Sequence, residues 1–246
     1  MQDIDNNDVV YHPFKIAPSI LSADYGNMQH VVTTLQDSGA EMIHFDMMDG
    51  IFVPNLSFGP KFIKDLKKHI NVPVDVHMMI GRPERMTAAV AEAGADMISF
   101  HIEATDRDYV LPMLRDIKRR KLKAGIAISP DTPVKTLTSF VDSVDYVLLM
   151  SVHPGASGQQ FLPKSLDRLI QLKALIGDRP IQIQIDGGVC MDNILQIREI
   201  GVDIVVAGSA ILAQSNWINA IAQLKSTQLP QVEDTQEQED DEDCEE

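Results

Sequence analysis

Short apolar runs, many of them β-branched, recur eight times along the chain, at 14–21, 42–46, 74–79, 97–101, 124–128, 146–150, 181–186 and 204–207. Runs of this length and content predict strands buried on both faces. Segments with helical spacing separate them, at 28–38, 61–69, 85–93, 109–120, 133–140, 164–176 and 192–200. Three helices end in glycine just before the next strand, in Ser38-Gly39-Ala40, Ala93-Gly94-Ala95-Asp96 and Ile200-Gly201-Val202-Asp203. Glycine past the last turn is the expected helix stop. Strand alternating with helix predicts parallel βα units.

Eight such units favour one closed (β/α)8 TIM barrel over an open doubly wound sheet, and the polar residues support that choice. Ser19, Asp46, His77, His101 with Glu103, Met150 and Asp186 all stand at the C-terminal ends of their runs, where barrels build their sites. An open sheet would gather its ligand residues at one switch point instead. A chain of 246 residues suits a single barrel over 14–229, with an N-terminal extension at 1–13 and an acidic tail at 230–246.

Charge sharpens this division. The net charge is -15, but residues 230–246 hold ten Asp or Glu and residues 1–13 hold three, with no Lys or Arg in either. The barrel segment is therefore left at about -2. Self-repulsion and the lack of apolar periodicity predict a disordered tail. A basic face for nucleic acid is missing, and no run is long enough to span a bilayer. The acidic N-terminus is unlike a signal peptide. Two cysteines, Cys190 and Cys244, make no disulfide framework, which points to a reducing cytoplasm.

Side chains alternate along a strand, so His44, Asp46 and Met48 share one face, as do His77 and Met79. Two imidazoles and a carboxylate delivered to one interior make a metal site, with Asp186 as the candidate fourth ligand. Such donors suit zinc, iron(II), manganese or cobalt, and the lack of thiolate argues against a structural zinc site. The plainer alternative is hydrogen-bonded core histidines, with Asp46 capping a loop.

Glycine-rich turns follow strands 6, 7 and 8, at Gly155-Ala156-Ser157-Gly158, Gly187-Gly188 and Gly208-Ser209. Barrels commonly dock phosphate on backbone N–H groups there, although any single glycine pair is more often plain turn chemistry. Together they predict a small phosphorylated ligand. Met48, Met79 and Met150 end their strands facing inward, as core fillers or as a water-excluding lining.

These residues closely resemble the ribulose-phosphate 3-epimerase family. The resemblance rests on 16–24 (IAPSILSAD), 44–55 (HFDMMDGIFVPN), 75–80 (DVHMMI), 101–104 (HIEA), 185–189 (IDGGV) and 206–210 (VAGSA), and runs from about Phe14 to Leu224. It implies a barrel that interconverts D-ribulose 5-phosphate and D-xylulose 5-phosphate in the pentose phosphate pathway. It implies one divalent metal ion per subunit on His44, Asp46, His77 and Asp186, with Asp46 and Asp186 as acid and base. It also implies Ser19 and His77 at the substrate, phosphate on the glycine loops, the three methionines around the intermediate, and assembly as a dimer or hexamer. One segment departs from the family pattern: the loop after strand 6 reads Val152-His153-Pro154-Gly155-Ala156-Ser157-Gly158-Gln159, with alanine and serine where an aromatic residue and a small residue are usual. That keeps a D-allulose 6-phosphate 3-epimerase open as the alternative, and a catalytically silent sugar-phosphate sensor as the non-enzyme reading. A Schiff-base aldolase is disfavoured, because Lys15 and Lys123 begin strands and no lysine ends one.

Overall fold

The computed structural model describes residues 13–226; the acidic tail and all but Pro13 of the N-terminal extension lie outside the described residues. Eight parallel strands form one sheet: β1 Lys15–Pro18, β2 Ile43–Met48, β3 Val74–Met79, β4 Met97–His101, β5 Lys123–Ile128, β6 Tyr146–Met150, β7 Gln182–Asp186 and β8 Ile204–Ala207. From β2 to β8 each strand pairs with the next, and β8 pairs with β1. The remaining seam, between β1 and β2, is closed by a parallel bridge between Ser19 and His44. Below that bridge the Glu41 carboxylate accepts the Ile16 N–H at 2.8 Å. The result is the expected TIM barrel.

Helices Met28–Asp37 (α1), Pro60–Lys67 (α2), Thr87–Glu92 (α3), Arg107–Arg119 (α4), Lys164–Ile176 (α5) and Ile194–Ile200 (α6) wrap the sheet. Ser209–Leu212 (α7) and Trp217–Lys225 (α8) follow β8. Among the described residues no helix is long and apolar enough to cross a membrane.

Two expectations are corrected. The segment 133–140 is not an α-helix but a 3₁₀ turn at Val134–Ser139, followed by another at Val141–Ser143. Val134, Thr136 and Thr138 crowd a helix at Cβ, and the Thr138 hydroxyl donates back to the Lys135 carbonyl at 2.7 Å. The tighter turn serves as a short connector. The first strand also stops at Pro18, short of residue 21, and Ile20–Ser22 form a 3₁₀ turn. The Ser19 hydroxyl caps that turn by accepting the Leu21 N–H at 3.3 Å.

Register separates two rows of side chains. Ile43, Phe45, Met47, Val76, Phe100, Ile126, Leu149 and Ile185 face outward into the helix-covered core. Inward, His44 stands beside Asp75, Asp46 beside His77, Met48 beside Met79, and Met150 beside Asp186. Tyr146 plugs the interior near its lower end. A Cβ at Gly125 would lie 2.4 Å from its ring, so a residue without a side chain admits the phenol.

Candidate active site and metal centre

Strands β2, β3 and β7 aim four side chains at one point inside the barrel. One ligand atom each from His44, Asp46, His77 and Asp186 lies within 4.8 Å of the other three. His44 Nε2 is 3.4 Å from Asp46 Oδ1 and 3.9 Å from Asp186 Oδ2. His77 Nδ1 is 3.1 Å from Asp46 Oδ1 and 3.6 Å from Asp186 Oδ2. Four N and O donors at about 2.1 Å around a tetrahedral ion would stand about 3.4 Å apart, so the spacing fits a divalent cation. A second observation agrees: His44 Nε2 is fully buried and has no hydrogen-bond partner, a rare state for an interior polar atom unless something else binds it.

The two carboxylates differ in proton affinity. Burial opposes ionisation of Asp46, yet His44 and His77 outweigh it and hold Asp46 far below the ordinary carboxylate range. The Ser19 hydroxyl adds a hydrogen bond to Asp46 Oδ2 at 2.5 Å. Burial, reinforced by the Asp46 charge, pushes Asp186 up to about 7. Burial alone would lower His44, but the Asp46 and Asp75 carboxylates win and raise it well above its usual value. His77 is pushed down to about 4, chiefly by burial. Two neighbouring carboxylates whose surroundings push their proton affinities apart are the pairing acid–base chemistry requires.

Above this floor, one cleft is lined by Ser19, Met48, Met79, Met150, Gly155 to Gly158, Gly187, Gly188, Gly208 and Ser209. The structure therefore brings nearly all the expected site residues together. His44 and His77 are the exceptions: neither has exposed surface or lines the cleft. Both lie beneath it. Gly188 has φ of +64°, and a Cβ there would meet the Phe161 backbone nitrogen at 2.4 Å. Only glycine lets the β7 turn pass that close to the neighbouring loop. The departing loop after β6 is tied down from across the mouth, where the Asn55 side-chain amide donates to the Gly155 carbonyl at 3.1 Å.

Several functional neighbours escaped the sequence reading. Asp75 accepts from His44 Nδ1 at 2.8 Å, and is itself held by Gln184 Nε2 and by Tyr146 Oη at 3.2 Å. Ser151 Oγ lies 2.9 Å from the Asp186 carbonyl and 2.6 Å from that of Gly187, anchoring the end of β7. The buried Arg168 guanidinium donates to the Met150, Ser129 and Thr132 carbonyls. Asp75 shares inward parity with His77, a signal present in the sequence. Arg168 gave no such signal.

The Ribulose-phosphate 3 epimerase family matches residues 15–212. Ribulose-phosphate 3-epimerase of Serratia marcescens is 42% identical over 207 residues, covering 83% of this chain and 98% of that protein. The Escherichia coli K12 protein of the same name is 40% identical over 216 residues, covering 87% and 95%. Among solved structures, 3-keto-L-gulonate-6-phosphate decarboxylase from Vibrio cholerae superposes with a TM-score of 0.67 at 18% identity, over 87% of this chain and 97% of that one. That likeness speaks for the barrel alone. The family match and the two relatives, each spanning most of the chain, place it in the ribulose-phosphate 3-epimerase family, and it is an epimerase acting on a carbohydrate.

Proposed function

We propose that the protein interconverts D-ribulose 5-phosphate and D-xylulose 5-phosphate by two-base proton transfer. The observation that carries this reading is the convergence of the Asp46 and Asp186 carboxylates, from β2 and β7, at one buried point beneath the cleft. Inverting a carbon beside a carbonyl requires removing its proton from one face and returning one to the other. A single base cannot serve both faces, whereas carboxylates from β2 and β7 approach from two sides. Asp46 takes the proton and Asp186 delivers one; in the reverse direction the roles exchange. A divalent ion on His44, Asp46, His77 and Asp186 would supply positive charge to the oxygens of the enediolate.

The remaining residues orient and dry the substrate. Ser19 holds Asp46 toward the cleft, and Met48, Met79 and Met150, all nearly buried, keep water from the reacting carbons. Backbone N–H groups of the turns after β6, β7 and β8 would bind the phosphate. The names of the relatives support a pentulose phosphate. We assign the barrel to 14–229, a cytoplasmic setting, and a homo-oligomer, dimer or hexamer.

Solvent deuterium exchange at carbon 3 tests the reading, with ribulose 5-phosphate and allulose 6-phosphate run in parallel. Asp186→Asn should lower kcat by about 10²–10⁴-fold while circular dichroism shows the fold retained. Comparable kcat/KM for both sugars in the wild type would remove the substrate assignment. Unchanged turnover in Asp186→Asn would remove the mechanism.

A further inference from the structure

The two histidines at the centre present opposite nitrogens to it. His44 turns Nε2 inward and gives Nδ1 to the Asp75 carboxylate. His77 turns Nδ1 inward, and its Nε2 faces His101 Nε2 at 2.9 Å. His101 Nδ1 then meets Glu103 Oε2 at 3.0 Å. The other Glu103 oxygen accepts the Ser129 N–H at 2.8 Å and the Thr132 hydroxyl.

With a cation at His77 Nδ1, proton counting along this chain has one solution. A ring that offers Nδ1 to a cation keeps its proton on Nε2. His101 Nε2 must then accept, so the His101 proton sits on Nδ1 and points at Glu103. Glu103 must be a pure acceptor, and it is ionised: His101, Thr132 and Ser129 overcome its burial and hold it down to about 2. We propose that Glu103 and His101 are positioning residues that fix the His77 proton on Nε2 and thereby make Nδ1 the ligand atom. This rests on the metal reading above. On the His44 side one carboxylate does the same work directly; on the His77 side it acts through a second imidazole.

The geometry makes a discriminating variant. In Glu103→Gln the Ser129 N–H requires the amide oxygen, which turns the amide NH₂ toward His101 Nδ1. His101 must then carry its proton on Nε2 and push the His77 proton onto Nδ1, where the cation belongs. Glu103→Ala leaves His101 free to choose. Zinc and cobalt affinities, measured by chelator competition on the full chain, should fall about 10–100-fold in Glu103→Gln, and by less in Glu103→Ala. A packing role predicts the reverse order, because glutamine preserves the shape. In the zinc-loaded wild type, nitrogen-15 NMR should show His101 neutral with its proton on Nδ1. Affinity of Glu103→Gln within twofold of wild type, a larger loss in Glu103→Ala, or a His101 proton on Nε2 in the wild type overturns the proposal. A wild type that binds neither metal overturns the metal reading, and this one with it.

Discussion

The outward and inward rows of the same eight strands follow different rules. Outward positions such as Phe45, Val76, Phe100 and Leu149 belong to the apolar core under the helices. Volume-conserving apolar swaps are tolerated best there, usually at a cost below about 1.5 kcal/mol. Inward, His44, Asp46, Asp75, His77, Ser99, His101, Gln184 and Asp186 are buried polar groups inside the ring. Each needs a partner of the correct donor or acceptor type. The backbone is common to both rows, so the difference shows stability and chemistry divided by side-chain parity.

Substitutions can separate the rows. The largest loss of stability should come from the outward row: Phe100→Ala removes a fully buried ring and should cost about 3–5 kcal/mol in urea denaturation. Its kcat, measured well below the melting transition, should stay within a fewfold of wild type. A collapse of kcat at unchanged stability would erase the division. Gly125→Ala probes the inward row without touching the cleft. Its new methyl meets the Tyr146 ring and should cost about 1–3 kcal/mol through overpacking, with a loosened Asp75 contact as the secondary effect. Neutral behaviour would show that Tyr146 moves freely.

The smallest effect is the dependence on acid. Glu103 is held from its ordinary value of 4.5 down to about 2. A carboxylate lowered in this way contributes stability that is present above the unfolded value and lost as pH falls toward the folded one. The stability gap between wild type and Glu103→Gln should therefore be full above about pH 4.5 and close as pH approaches 2. Urea midpoints at several pH values measure it, and a gap that persists unchanged at the acid end contradicts the ionised state assigned to Glu103.

Much of this was legible in the sequence. The alternation of apolar strand and amphipathic segment predicts eight parallel strands, and parity along β2 and β3 turns His44 and Asp46 to one face of the first and His77 to one face of the second. Local rules were less reliable where β-branched residues and hydroxyls compete with the helix, as at 133–140. Long-range partners were least legible. Tyr146 and Gln184 reach Asp75 from 71 and 109 residues away, and no spacing within either segment announces the meeting. Arg168 lies on a helix where charged residues usually face water, and only the assembled barrel shows its guanidinium turned onto three carbonyls.

Ser19 occupies a place where two demands coincide. It is the residue that bridges β1 to β2 across the last seam of the ring, and its hydroxyl also touches the carboxylate assigned as base. Breathing of the barrel at that joint would pull the serine off Asp46 while the other seven strand pairs stayed zipped. One residue thus ties the closure of the ring to the setting of its base.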